Sequence, residues 1–69
     1  MAHNIKDKVR IVRVRNKRRA IHLLKYITGE GEIIEYTVSD KGIKYKVLLD
    51  NNEIKKFYED EIELIEANE

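Results

Sequence analysis

The stretch that decides the fold runs from Lys44 to Glu66 and reads KYKVLLDNNEIKKFYEDEIELIE. Apolar residues alternate with charged ones before the pair Asn51 and Asn52, and the alternation resumes after it. Alternation with a period of two is typical of a strand that buries one face. Asparagine tolerates the left-handed backbone that a tight turn needs. We therefore predict a hairpin of two antiparallel strands.

The inward face of this hairpin follows from the same alternation. On the first strand the predicted inward residues are Tyr45, Val47 and Leu49. The acidic run YEDE, residues 58–61, predicts a single helical turn, with Ile62 closing an open end of the structure. A short last strand, ELIEA, follows that turn.

Two more strands are predicted upstream. The segment DKVRIVRVRN, residues 7–16, is rich in β-branched residues, and the adjacent pair Ile11 and Val12 predicts a bulge or bend because it shifts the alternation by one residue. In GEIIEYTVS, residues 31–39, the alternation places Ile34, Tyr36 and Val38 on one face. The sequence DKG, residues 40–42, then predicts a tight turn in which glycine adopts a positive φ.

The connection between these two strands has two interpretations. In NKRRAIHLLKYITGEG, residues 16–31, apolar residues follow the helical spacing i, i+3, i+4, i+7, and Asn16 and Gly29 suit the two ends of a short helix. The same segment also fits a long extended loop. Five short strands with this insertion predict a mainly β, five-stranded small barrel over residues 1–69, with flexible ends at 1–6 and 67–69.

The pattern resembles that of the SH3-like small barrels. The resemblance lies in DKVRIV, in GEIIEY and in YKVLLDNNEIKKFYEDEIELI, which match the first strand, the second strand and the terminal hairpin, turn and strand of such barrels. The segment from Phe57 to Ile62 is similar to the ending of the photosystem I accessory subunit of this fold. The sequence also resembles small phage and prophage proteins that have this barrel. The resemblance implies a fold and leaves the activity open, since these barrels carry many functions.

Composition argues against several classes of function. The chain has no cysteine, two histidines and a single serine, Ser39, so we expect neither a metal site nor an enzyme. Its glycines form no phosphate-binding motif, so we expect no cofactor and no small-molecule substrate. No apolar stretch approaches a membrane span and no secretion signal opens the sequence, so we expect a cytoplasmic protein without a membrane partner.

The charge is divided sharply along the chain. Residues 1–25 contain nine Lys or Arg and one acid, whereas residues 26–69 contain five Lys and twelve acids. Arginine and lysine clusters bind phosphate backbones, so the predicted nucleic-acid-binding residues are Arg10, Arg13, Arg15, Lys17, Arg18, Arg19, Lys25 and Tyr26. The alternative is internal complementarity, in which basic strands lie beside acidic ones.

The aromatic residues also have two interpretations. Tyr26, Tyr58 and others could stack on bases or form a cage for a methylated lysine. We instead predict Tyr36 and Tyr45 to be core residues, and one of Phe57 and Tyr58 to point outward. The acidic ending is most simply a solvated surface, and mimicry of nucleic acid is its alternative.

Two functions follow from these observations. The first is a binding module that contacts DNA or RNA phosphates through strand one and residues 16–25. The second is a protein–protein interaction module, such as a phage or mobile-element protein that docks on a host protein or inhibits it. A subunit of a larger assembly is a third alternative.

Overall fold

The architecture is a single antiparallel sheet of five strands. The computed structural model describes residues 3–15 and 24–67. Its strands are β1 (Lys8–Ile11), β2 (Glu30–Ser39), β3 (Gly42–Leu49), β4 (Ile54–Tyr58) and β5 (Ile62–Glu66). The order across the sheet is β4-β3-β2-β1-β5, and each neighbouring pair is antiparallel. The prediction of a mainly β, five-stranded chain is confirmed.

The prediction of a closed barrel is corrected to an open sheet. In the part of the chain that the structure describes, β4 and β5 are the two edges and no hydrogen-bonded ladder joins them. The 3-10 turn Glu59–Glu61 separates these strands, and β5 pairs with β1 instead. The predicted single helical turn in this acidic run is confirmed.

The core lies on the inner face of the sheet. Tyr45, Val47 and Leu49 on β3 are buried, as predicted, and Ile62 is also buried. On β4, Phe57 is fully buried whereas Tyr58 is half-buried, in agreement with the prediction that one of them points outward. The other buried apolar residues are Val9, Ile11, Tyr26 and Ile33. With a core this small, each large apolar side chain contributes substantially to the stability of the fold.

A bulge in β2 changes which of its residues face the core. Ile33 lies opposite Val47 and Glu35 lies opposite Lys46, so Ile34 is the extra residue of the bulge. Ile33, rather than the predicted Ile34, is therefore fully buried.

The outer end of β2 extends beyond the core. Tyr36 faces the same side as its neighbour Tyr45, but it is 39% exposed and Val38 is 65% exposed. The prediction that Tyr36 is a core residue is therefore wrong. The predicted irregularity at Ile11 and Val12 takes another form, because β1 ends at Ile11 and its register shift lies between Lys8 and Val9.

Both predicted turns are present. Gly42 has a φ of 119°, which suits glycine because it has no Cβ. In the β3–β4 hairpin, Asn52 has a φ of 70°, and its amide donates to the carbonyl of Leu49 at 2.9 Å. The left-handed conformation that asparagine tolerates thus closes this hairpin.

The connection from β1 to β2 is described only at its two ends. Residues 16–23 lie outside the described part, and the segment that follows them is a 3-10 turn, Leu24–Tyr26. The predicted helix is therefore not shown. Two backbone hydrogen bonds attach the end of the connection to β1, from Thr28 to the Ile11 carbonyl at 2.7 Å and from Ile11 to the Gly29 carbonyl at 2.9 Å.

The N-terminal residues that the structure describes pack against the sheet. His3 is buried, and its ring meets that of Tyr45 edge-on at 5.2 Å between centroids. The amide of Lys6 donates to the carbonyl of Ile33 at 2.7 Å. Flexibility of residues 1–6 stays a prediction. Within the described ranges, no helix has the length and apolar character needed to cross a bilayer.

Candidate interaction surfaces

Acidic residues lie opposite both cations of β1 on each of the two neighbouring strands. The register sets Lys8 and Arg10 opposite an acid on β2 and again opposite an acid on β5. These pairs are Lys8–Glu32, Lys8–Glu66, Arg10–Glu30 and Arg10–Glu63. The Arg10 guanidinium bonds to the Glu30 carboxylate at 3.0 Å. Opposite charges in facing positions stabilise a sheet, so β1 shows the internal complementarity that was the alternative interpretation of this cluster.

Arg15, just beyond β1, also lies against an acid. Its Nη2 donates to Oδ1 of Asp60 at 2.6 Å, and its guanidinium carbon lies 4.0 Å from the centre of the Tyr58 ring. The hydrogen bond to Asp60 raises the pKa of Arg15, and the same bond lowers the pKa of Asp60. The Arg15 charge is thus engaged by the turn Glu59–Glu61.

Glu61 holds this region together from inside. Its side chain is fully buried, and its two carboxylate oxygens accept hydrogen bonds from the amides of Tyr58, at 2.6 Å, and Arg15, at 2.5 Å. Its carbonyl accepts from the amide of Val12 at 2.9 Å. A buried carboxylate needs such donors to offset its lost hydration. The YEDE turn therefore anchors the beginning of the β1–β2 connection.

Tyr26 anchors the other end of the connection. Its ring is only 7% exposed, and its hydroxyl donates to the carboxylate of Glu53. That hydrogen bond, together with burial, raises the pKa of Tyr26. The ammonium groups of Lys25 and Lys55 lie 5.2 and 5.9 Å from the centre of its ring. Tyr26 is therefore a packed residue and lacks the exposed ring that base stacking needs.

The structure divides the eight predicted nucleic-acid-binding residues into separate groups. Arg10 and Arg15 are paired with acids, and Arg13 is exposed. Tyr26 lies beside the beginning of β4, and Lys25 lies near the Tyr26 ring. Lys17, Arg18 and Arg19 fall outside the described residues. Nucleic-acid binding by this set stays a prediction.

A basic surface that the sequence reasoning missed lies on β3 and β4, at the edge of the sheet opposite to β5. Strands β3 and β4 contain four lysines and no acid. The alternation that buries Tyr45 and Val47 turns three of these lysines outward. We define the β3–β4 outer face by the cross-strand pairs Lys44–Tyr58, Lys46–Lys56 and Leu48–Ile54.

The central pair of this face brings two like charges together. Lys46 and Lys56 lie directly opposite each other, and Lys46 also lies 3.6 Å from the Glu35 carboxylate on β2. At one end, Lys44 lies 5.0 Å from the centre of the Tyr58 ring, on which Arg15 also lies. At the other end, Ile54 is 50% exposed beside the half-buried Leu48. The lysine spacing in IKYK and IKK signals this face once the two strands are known to pair.

The remaining candidates show structural roles. The hydroxyl of Ser39 donates to the carbonyl of Gly42 and accepts from the amide of Lys41, so it stabilises the β2–β3 turn. Across residues 3–15 and 24–67, no group of three or more His, Cys, Asp or Glu could hold a metal ion. The expectation that the chain is not an enzyme stays a prediction.

Comparison with known proteins finds a likeness among solved structures. No family model and no curated protein matches the sequence. Among solved structures, the chain is similar to the solution structure of the cyanobacterial cytochrome b6f complex subunit PetP, with 27% sequence identity and a TM-score of 0.78. The match covers 90% of this chain and 78% of the PetP chain. It supports the SH3-like small β fold, and it gives no support to a specific likeness to the photosystem I subunit or to phage proteins.

Proposed function

We propose that this protein is a small accessory subunit that binds to another protein within a larger complex. The observation that carries the proposal is the likeness to PetP, which extends over 90% of the chain. PetP is described as a subunit of the cytochrome b6f complex. That complex is therefore the first partner to test.

The surface of the molecule is consistent with a binding role. Ile54 on β4 and Leu64 and Ile65 on β5 are apolar side chains that are each at least 40% exposed, and both strands are sheet edges. Exposed apolar residues at sheet edges offer contacts to a partner chain.

The test is direct binding to a purified complex. Cyanobacterial cytochrome b6f complex from which PetP has been removed is immobilised in detergent, and this protein is titrated over it. We expect saturable binding that added PetP displaces, because two proteins of the same fold would compete for one site. Complex that retains PetP is the matched control and should bind less. Absence of binding up to about 100 μM, where even a weak contact of about 5.5 kcal/mol would be half-saturated, would contradict assignment to this complex.

Nucleic-acid binding is the second candidate. The excess of cations in residues 1–25 favours it, and the acids beside β1 weigh against it. A gel-shift titration with single-stranded and duplex DNA and RNA tests it. If the double substitution Arg18→Glu with Arg19→Glu leaves binding unchanged, these arginines do not contact phosphates. Localisation to the cytoplasm likewise stays a prediction.

A further inference from the structure

We propose that the partner protein docks at the free edge of β5, by adding a strand in which Lys or Arg alternates with an apolar residue. The inference rests on the proposed function, namely that the chain binds another protein. It adds the element that makes the contact and the sequence pattern of the segment that is bound.

The main chain of β5 is open to pairing along one edge. Its hydrogen-bonded neighbour is β1, and in the described part of the chain no strand lies on its other side. An edge strand carries a row of unpaired amide and carbonyl groups, and an extended segment of another protein can pair with them. Residues 63–66 of β5 are all exposed. Solvent therefore reaches both faces of this strand as well as its edge.

The opposite edge of the sheet, β4, is less open. The hydroxyl of Tyr26 bonds to Glu53, directly before β4, and the ammonium group of Lys55 lies 5.9 Å from the centre of the Tyr26 ring. At the other end of β4, the amide of Tyr58 donates to the carboxylate of Glu61 at 2.6 Å. Groups of the chain itself therefore lie at both ends of β4, so β5 is the more accessible edge.

A bulge brings the two acids of β5 onto one face of the sheet. Residues three positions apart on a regular strand face opposite sides, which would separate Glu63 from Glu66. The register to β1 instead sets Arg10 opposite Glu63 and Lys8 opposite Glu66, with Ile65 as the extra residue. Arg10 and Lys8 are two positions apart and share a face. The two glutamates therefore share that face with them.

This arrangement defines the pattern of a strand that fits the edge. Leu64 lies opposite the buried Val9, so it stands on the inner face between the two glutamates, and it is 44% exposed. A matching strand places cations beside Glu63 and Glu66 and an apolar residue beside Leu64. Because these three positions alternate between the two faces, the added strand must alternate cationic and apolar residues.

The cations of β1 leave the two carboxylates available to such a strand. Arg10 bonds to Glu30 on β2 at 3.0 Å, and within residues 3–15 and 24–67 neither Glu63 nor Glu66 makes a salt bridge. Neighbouring strands lie about 4.8 Å apart, so a cation of the partner strand would lie about 5 Å from the glutamate beside it and about 10 Å from the cation of β1. The attraction exceeds the repulsion because the Coulomb energy falls with distance and salt screens the longer contact more.

A second copy of this chain fits the edge less well than another protein does. Pairing of two β5 strands would bring glutamates together, which is unfavourable in a sheet. The other edge, β4, contains the adjacent residues Lys55 and Lys56, which point to opposite faces. It would therefore offer only one cation to Glu63 and Glu66. The pattern favours a strand from a different protein.

A peptide of defined pattern tests the proposal. A nine-residue peptide in which Lys and Val alternate is titrated into the ¹⁵N-labelled full chain, and amide shifts are followed by NMR. The control peptide has the same composition with its lysines and valines grouped. We expect the largest shifts at residues 62–66, and slower hydrogen exchange of the β5 amides that face away from β1, because the added strand accepts hydrogen bonds from them. Equal binding of the two peptides, shifts centred elsewhere, or no shift up to about 1 mM peptide would overturn the proposal.

Matched variants connect β5 to binding. The double substitution Glu63→Gln with Glu66→Gln removes both carboxylates of β5, whereas Glu35→Gln with Asp50→Asn removes the same charge elsewhere. We expect the β5 variant to bind both the alternating peptide and the cytochrome b6f complex about fivefold more weakly, since two exposed ion pairs are lost, and the other variant to bind as wild type. Equal weakening in both variants would overturn the proposal. Thermal unfolding confirms that each variant is folded before binding is compared.

Sedimentation equilibrium tests the alternative occupant of the edge. We expect the wild type to remain a monomer at the concentrations used for NMR. Self-association that Glu63→Gln with Glu66→Gln abolishes would overturn the proposal, because the strand added to β5 would then come from a second copy of this chain.

The outcomes separate this inference from the proposed function. If the wild type binds the complex and the β5 variant binds it equally well, β5 is not the docking edge and the proposed function stands. If the wild type fails to bind the complex but the alternating peptide maps to β5 and the β5 variant binds it more weakly, the assignment to that complex is wrong and the inference about β5 stands.

Discussion

The two basic regions of this protein differ in what lies beside them. Strand β1 has an acid opposite each of its cations on both neighbouring strands. The β3–β4 outer face has lysine opposite lysine, and β3 and β4 contain no acid. The sequence nevertheless places β1 in its most basic third and the β3–β4 hairpin in its acidic remainder. The charge of a segment of the chain therefore differs from the charge of the surface to which that segment contributes.

The largest loss of stability is expected when the buried carboxylate of Glu61, which binds the segment after β1, is removed. Glu61→Ala removes a buried carboxylate that accepts from the amides of Tyr58 and Arg15. We expect a loss of about 2–4 kcal/mol in the free energy of unfolding, because two buried amides lose a charged acceptor. Denaturation by urea measures it. Glu59→Ala, in the same turn, is the control and should cost clearly less.

A variant that stays folded gives the same information if Glu61→Ala does not fold. Glu61→Gln keeps one carbonyl oxygen as acceptor and should lose only part of the stability. Equal stability of Glu61→Gln, Glu59→Ala and the wild type would show that the buried carboxylate is unimportant for the fold.

Charge reversal on β1 should destabilise the sheet. Arg10→Glu places a third acid between Glu30 and Glu63, so two favourable cross-strand pairs become unfavourable. We expect a loss of about 1 kcal/mol in the free energy of unfolding, which becomes smaller at high salt. Arg10→Gln, which only removes the attraction, should lose less. An Arg10→Glu variant as stable as the wild type would mean that the acids on β2 and β5 do not stabilise the sheet through Arg10.

Charge reversal at an outward lysine of β4 should instead create a favourable cross-strand pair. Lys56→Glu places an acid opposite Lys46, so we expect a favourable coupling of about 0.5 kcal/mol between these two positions in the free energy of unfolding, measured by a double-mutant cycle with Lys46→Ala. Lys55→Glu, on the other side of β4 and near Glu53, is the control and should show no such coupling. If no favourable coupling is found between positions 46 and 56, the two basic regions do not differ in how charge reversal acts on them.

The smallest effect concerns the ion pair at the edge of the β3–β4 outer face. The hydrogen bond from Arg15 lowers the pKa of Asp60 below its ordinary value of 3.8. The ionised carboxylate therefore stabilises the fold above pH 3.8, and this contribution is lost as the pH falls through the lower pKa of the folded state.

NMR titration of the Asp60 carboxyl carbon checks this effect. Arg15→Gln should move the midpoint back toward the ordinary value. Both side chains are almost half exposed, so solvent screens the ion pair and we expect only a small change in stability. An unchanged midpoint in Arg15→Gln would show that another group lowers the pKa.

The strands and turns could be predicted from sequence because their signals are local. Lysines on both sides of Tyr45 fix the phase of the alternation on β3, and the structure buries Tyr45, Val47 and Leu49. Asn52 and Gly42 adopt the positive φ that their residue types allow. Each of these decisions depends on the residues within one strand or turn, so no distant partner is needed to make them.

The inward face of β2 could not be predicted in the same way. Ile33 and Ile34 are adjacent and equally apolar, so either can begin the alternation. Pairing with β3 places the bulge at Ile34 and buries Ile33. The exposure of Tyr36 follows from its place near the outer end of the hairpin, which no local pattern reveals.

The sequence by itself determined a mainly β chain, its hairpin, its acidic turn and most of its core, because backbone preference and period-two burial act over a few residues. Only the tertiary structure decided that the sheet is open and that β1 lies between two acidic neighbours. It also decided that lysines ten residues apart meet on one face. The physical reason is that electrostatic interactions depend on distance in space, and strand order and register set those distances.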